Sequence, residues 1–274
     1  MPPVAKKSEL DNLIGPEIVG DRFHAAICWL SRWEDLRTAL EIGSSAGAGS
    51  TSAFVEGLSC NPNQPTLYCM ELSLPRFEKL KEAYAGIDFV RCYNASSIPL
   101  GKFPPEQDVV NFYHSHRGPL NDYPLDRVLG WLRQDIDYVA SCGAPQNGIR
   151  LIKAEHCVDT FDMVLIDGSE FTGEAELDEV YGAKIICLDD TKTFKNYRSR
   201  KRLVSDPSYQ LIIDDTTLRN GFSVFCRRDK PCAWRDRNMH LNRHGHPTRR
   251  WPVVGRPYEI VTGWARRALA KPSA

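Results

Sequence analysis

Short apolar runs alternate along this chain with stretches in which apolar residues recur every three to four positions. The runs at 37–43, 66–72, 87–93, 161–167 and 184–190 predict strands. Helices are predicted over 50–58, from Pro75 onward, over 174–181, and over a basic segment at 194–204. Strand and helix in regular alternation predict a parallel sheet with crossover helices. Two further runs, 209–214 and 221–227, lie close together across a polar turn containing Asn220-Gly221, so they are expected to pair antiparallel. Between the third and fourth strands the alternation stops for a long aromatic connection, 97–153, with helical stretches at 106–116 and 125–142. A connection of that length in a compact domain usually serves as a lid or a subunit contact, which leaves a homo-oligomer open. The pattern divides the chain into an N-terminal helical segment (1–36), an α/β domain (37–228) and a C-terminal extension (229–274) that ends in a helix candidate at 258–269.

Composition adds a compartment and a charge asymmetry. The chain has 274 residues, 42% of them hydrophobic, which is ordinary for a folded globular protein. No apolar run reaches the ~20 residues of a membrane helix. Lys6 and Lys7 are followed by no apolar signal core, so a cytoplasmic address is expected. The nine cysteines are odd in number and lack C-x-x-C spacing. Cys69, Cys92, Cys187 and Cys226 sit inside apolar runs, as reduced, buried thiols would. Net charge is zero. The stretch 227–274 carries 12 Lys and Arg against 3 Asp and Glu, leaving an acidic body with a basic tail. The tail's His240, Arg243, His244, His246, Arg249 and Arg250, punctuated by Trp234 and Trp251, suit either contact with the acidic body or a nucleic-acid partner.

The most informative stretch is Glu41-Ile42-Gly43-Ser44-Ser45-Ala46-Gly47-Ala48-Gly49, between the first strand and its helix. Open α/β sheets bind ligands at the carboxyl ends of their strands, and glycines let the backbone turn there without a Cβ in the way. Glu71 ends the second strand, where a carboxylate can accept from both hydroxyls of a ribose. The dinucleotide fingerprint G-x-G-x-x-G is not met, because this loop reads G-x-x-x-G-x-G. A glycine-rich turn without a ligand is the plainer reading.

Glu41-x-Gly43, Glu71, Asn94-Ala95-Ser96 after strand three and Asp167 after strand four occur in the order seen in class I methyltransferases, and the chain resembles that family over about 40–227. The resemblance implies a seven-stranded Rossmann-like sheet, mostly parallel with an antiparallel last strand, and S-adenosylmethionine as cofactor. It places Glu41, Gly43, Ser44, Gly47, Gly49, Glu71, Asn94, Ala95 and Ser96 at that cofactor.

Two acidic clusters end neighbouring strands, Asp167-Gly168-Ser169-Glu170 and Asp189-Asp190-Thr191. Converging carboxylates repel unless they are protonated or bridged, and hard oxygen donors suit Mg²⁺, Mn²⁺ or Ca²⁺. Asp167, Asp189 and Asp190 are therefore the expected metal ligands, with Lys192 a candidate to balance their charge. Caps on the helices that follow are the alternative. The clusters are similar to those of metal-dependent O-methyltransferases and of the macrocin and cephalosporin-hydroxylase-like group. That resemblance implies metal-assisted O-methylation of a small polyhydroxylated acceptor, a sugar or natural product, with Asp167 in the catalytic set. Catechol-type relatives have a lysine base where this chain has Glu170, so Glu170 and the connection's His114 (or His116) are the candidate bases. A nucleic-acid methyltransferase and a non-catalytic scaffold of the same fold remain the rival readings.

Overall fold

In a computed structural model, which describes residues 9–13 and 15–249, the strands run β1 (Thr38–Ile42), β2 (Thr66–Met70), β3 (Val90–Tyr93), β4 (Met163–Ile166), β5 (Ile185–Leu188), β6 (Tyr209–Asp215) and β7 (Phe222–Arg227). They form one sheet in the order β3-β2-β1-β4-β5-β7-β6. The first five pair in parallel, and β7 runs antiparallel to both β5 and β6. This is the Rossmann-like α/β arrangement expected. Its strand order reverses between β1 and β4, and the crevice outside their carboxyl ends is where open sheets take ligands.

The strands read as apolar runs because both faces are covered. Alternate residues of β1 serve different cores. Ala39 packs with α1 (Arg22–Trp33), α2 (Ser50–Leu58) and α3 (Leu74–Tyr84) through Phe23, Ile27, Phe54 and Leu80. Leu40 and Ile42 pack on the other face, with α6 (Gly148–His156), α7 (Gly173–Val180) and α8 (Phe194–Ser205), through Ile149, Ile152, Leu177 and Leu203. The predicted connection contains α4 (Glu106–Ser115), α5 (Leu125–Ser141) and also α6, which periodicity did not signal. A small core of Val109, Phe112, Val128 and Leu132 seats α4 and α5 on Phe171, which directly follows the first acidic cluster, and Phe194, which lies three residues beyond the second.

The first part of the C-terminal extension contains α9 (Ala233–Asp236) and a hairpin of β8 (Met239–Leu241) and β9 (Pro247–Arg249). It docks on α1: the Glu34 carboxylate accepts from the backbone N–H of Ala233 (2.9 Å) and Trp234 (2.7 Å), and the Trp234 side chain is buried. The helix candidate at 258–269 lies outside the described residues. Among the described residues, no helix is long and apolar enough to cross a membrane.

Helices α1 and α2 cross closely because Gly57 has no side chain. A Cβ there would sit 2.3 Å from the Cys28 carbonyl oxygen and 2.6 Å from Ser31 Cβ. Gly57→Ala is expected to cost about 1–3 kcal/mol through overpacking. A denaturation midpoint equal to wild type would show that this contact yields freely.

Candidate active site

The chain leaves β1 against the end of β4. Gly43 takes φ +88°, and a Cβ on it would lie 2.0 Å from the Asp167 carbonyl oxygen, so only glycine fits. The N–H groups of Gly43 and Ser44 both donate to Met70 O, at 3.0 and 2.9 Å, which ties the loop to β2. Beneath it Glu41 is wholly buried and accepts from the hydroxyls of Ser44 (2.7 Å), Ser50 (2.6 Å) and Thr51 (2.7 Å). Burial pushes its carboxyl up, and the three hydroxyls pull it back. Glu71, at the end of β2, accepts from the N–H of Ser45 (2.8 Å) and of Ser73 (2.7 Å).

These groups border a cavity of about 640 Å³. Of the residues expected at a cofactor, Gly43, Ser44, Gly49, Glu71, Ala95 and Ser96 line it. Glu41, Gly47 and Asn94 stand behind the lining. Glu41 braces the loop, and Gly47 makes room for Tyr84, whose ring a Cβ would meet at 2.6 Å. The Asn94 amide donates to the carbonyls of Glu71 (2.9 Å) and Leu72 (2.8 Å). All three shape the site from the second row, a role that motif order does not distinguish from contact. Leu10, Pro16 and Ile18 also line the cavity. Asp11 fastens that strand of chain by accepting from Tyr138 OH (2.7 Å) and Ser73 Oγ (3.1 Å).

The cavity is also lined by a charged cluster of Asp135, Asp167, Glu170, Asp189, Asp190 and Lys195. The expected cage of three carboxylates around a cation is not the arrangement found. Lys195, in the first turn of α8, places its ammonium 2.8 Å from Asp167 Oδ1 and 2.7 Å from Asp190 Oδ2. Asp189 turns to Arg219, whose Nη1 reaches its two oxygens at 3.1 and 2.9 Å, while Arg219 Nε donates to Asp21 at 3.0 Å. Among the described residues, no three His, Cys, Asp or Glu side chains are placed to hold one ion. The donor set present therefore does not fit a divalent cation. Lys192, the expected counter-charge, is exposed, and the balancing lysine lies three residues further on.

Charge interplay sets the protonation of this cluster. Burial pushes Asp167 up to about 8, against the pull of Lys195 and with added repulsion from Asp189 and Asp190. Burial alone would raise Asp190 too, but Lys195, with the Asn220 amide and Arg219, holds it below the ordinary aspartate range. Burial works against the Lys195 ammonium, and Asp167, Asp190 and Glu170 overcome that to hold it well above its usual value. Glu170 accepts from Thr193 Oγ1 (3.1 Å) and the Lys195 N–H (3.2 Å), so it caps α8 from outside, and burial pushes it up to about 7. His114 is exposed on α4 and outside the cavity, while His116 stacks on Phe112 with ring centroids 4.4 Å apart. The histidines are thus turned away, and Glu170 is the candidate base that reaches the site.

Asp135, Lys195, Arg219 and Asn220 were missed from sequence. One signal was available for Lys195: a cation in a helix's first turn opposes the macrodipole and calls for a local anion.

No protein-family model matches the chain, and no curated protein matches it. Similar solved structures include a caffeoyl-CoA O-methyltransferase from Staphylococcus aureus (14% identity, 77% of this chain and 85% of that one, TM-score 0.46). An O-methyltransferase from Klebsiella pneumoniae is similar at 13% identity, 78% and 83% coverage and TM-score 0.48. An S-adenosylhomocysteine-bound methyltransferase from Podospora anserina is similar at 12% identity, 75% and 78% coverage and TM-score 0.45.

Glu41→Ala would strand three hydroxyls under the loop. It is expected to lower stability by about 2–4 kcal/mol in urea unfolding, and Glu41→Gln by clearly less. Equal losses for the two variants would show that the hydroxyl bonds contribute little.

Proposed function

We propose that the protein is an S-adenosylmethionine-dependent methyltransferase acting on an oxygen of a small acceptor. The observation that carries this reading is one cavity at the β1/β4 switch point, lined both by the glycine loop and Glu71 and by Asp167, Glu170 and Lys195. Its volume falls in the ~300–1,000 Å³ range of small-molecule sites.

The residues present fit the cofactor. Gly43, Ser44 and Ser45 line the cavity with short or absent side chains, which suits the methionine moiety. Glu71 keeps lone pairs for two ribose hydroxyls. Ala95, Ser96 and Gly168 offer a flat, small-residue wall for adenine. When bound, S-adenosylmethionine supplies a methyl group on a sulfonium, and loss of that methyl leaves a neutral thioether.

The acceptor must give up its hydroxyl proton as the new O–C bond forms, and we assign that proton to Glu170, which lines the cavity. Its raised pKa matches base work near neutrality. Trp131, Phe103 and Tyr138 also line the cavity, which favours an acceptor with a flat or apolar body. A cytoplasmic setting and a small-molecule acceptor complete the reading.

Glu71→Ala should weaken S-adenosylhomocysteine binding tenfold to more than a hundredfold, roughly 1.5–3 kcal/mol, by calorimetry. Unchanged affinity in a folded variant would remove Glu71 from the ribose, and tight binding of NAD instead would overturn the methyltransferase reading. With an alcohol or phenol acceptor, the rate should rise with pH through about 7, because Glu170 works only when ionised and burial has raised it there. Glu170→Gln should flatten that limb. A wild-type profile with no inflection near neutrality would assign the proton elsewhere.

A further inference from the structure

Resting on the methyl-transfer reading, we propose that Lys195 is a built-in cation. Its ammonium holds the place between Asp167 and Asp190 that the sequence assigned to a divalent ion, and it offers its remaining N–H to one oxygen of the acceptor.

Four observations converge on this. Lys195 Nζ already lies within 2.8 Å of both carboxylates, so an ion bound by the same oxygens would have to expel the ammonium. Hard cations take carboxylate oxygens at ~2.0–2.6 Å, which leaves no room for both. Asp189, the third expected ligand, is held by Arg219, and through Arg219 by Asp21. Asp21 in turn caps α1 through Oδ1, accepting from the N–H of Phe23 (2.7 Å) and His24 (2.9 Å), so Arg219 is anchored to a helix start as it holds Asp189.

The lysine itself is fixed rather than trailing. Its side chain is 9% exposed, and its backbone N–H is capped by Glu170. It leaves a helix that starts at Phe194 and is seated on the α4–α5 layer. The ammonium donates to Asp167 Oδ1 and pairs by charge with Asp190 Oδ2. Among the described residues the ammonium has no further acceptor, and Lys195 borders the cavity, which leaves an N–H for a bound molecule.

The substitution changes what the site can select. A divalent ion is served by two vicinal oxygens on the acceptor, whereas one N–H is served by one. Recognition by this cluster therefore requires a single hydroxyl or phenol, and the vicinal diol implied by the metal reading is dispensable. The charge also differs: an ammonium brings one positive charge to the carboxylates where a divalent ion would bring two.

The test uses thermal unfolding of the full chain with MgCl₂, MnCl₂, CaCl₂ or EDTA, alongside calorimetry with S-adenosylhomocysteine. Wild type should show no saturable shift with any of the three salts and no loss with EDTA. Lys195→Met keeps the length of the side chain but removes the charge, so Asp167 and Asp190 become an empty cation site. That variant should gain a saturable rise of about 3 °C or more in Mn²⁺, a response a merely structural lysine would not leave behind. Saturable Mn²⁺ stabilisation of wild type, or a folded Lys195→Met without any cation response, would overturn the proposal. Should Lys195→Met fold only when Mn²⁺ is present, the proposal stands; should it fail to fold in Mn²⁺ as well, the proposal falls. Failure of wild type to bind S-adenosylhomocysteine would instead sink the methyl-transfer reading, so the two failures are told apart.

Discussion

Carboxylates buried at one edge of a sheet must be neutralised, and the architecture around this cavity follows from that requirement. An isolated buried charge costs several kcal/mol, and breaking a buried pair by removing one partner costs about 3–5 kcal/mol. Asp167 and Asp190 share Lys195, while Asp189 and Asp21 share Arg219. Each cation bridges two carboxylates from different elements. The bridges thereby fix the start of α8, the β6–β7 turn and the start of α1 relative to the ends of β4 and β5.

The glycine-loop part of the cavity is governed by close approach rather than charge. Gly43 lets the β1 exit pass the Asp167 carbonyl, and the loop that follows folds over a buried Glu41. One carboxylate satisfying three hydroxyls holds a tight loop without blocking its outer surface. The same short span of chain thus supplies the turn, the brace and the bare backbone that a ligand would meet. The brace and the contact surface are different residues, which is why Glu41 and Asn94 belong to the site without lining it.

The α4–α5 layer borders the same cavity. Its core rests on Phe171 and Phe194, each one or a few residues beyond an acidic group of the cavity. Its helix α5 also contributes Trp131, Asp135 and Tyr138 to the lining. Asp135 accepts from the Ser169 hydroxyl, and burial pushes its carboxyl up. Packing of this layer therefore sets the shape of the cavity beside the acidic cluster and the dryness of the carboxylates beneath it. A connection that interrupts the strand–helix rhythm is well suited to that role, since it is free of the sheet's periodicity.

Much of the fold was legible in local pattern. Buried parallel strands are apolar on both faces, so β1, β2, β4 and β5 announced themselves, and the polar turn at Asn220-Gly221 marked the antiparallel pair. Gly43 and the acids at the strand ends were legible too, because backbone conformation and position at a strand's end are local properties. Helix α6 was not, since its short apolar face is defined only by packing against the sheet. Nor was the pairing of charges. The sequence placed Asp167, Asp189 and Asp190 together and suggested an ion or Lys192, whereas the fold brought in Lys195, 28 residues beyond Asp167, and Arg219, 198 residues beyond Asp21. Which charge neutralises which is a question of distance in space at low dielectric, where a few ångströms decide the outcome, and only the tertiary structure sets those distances.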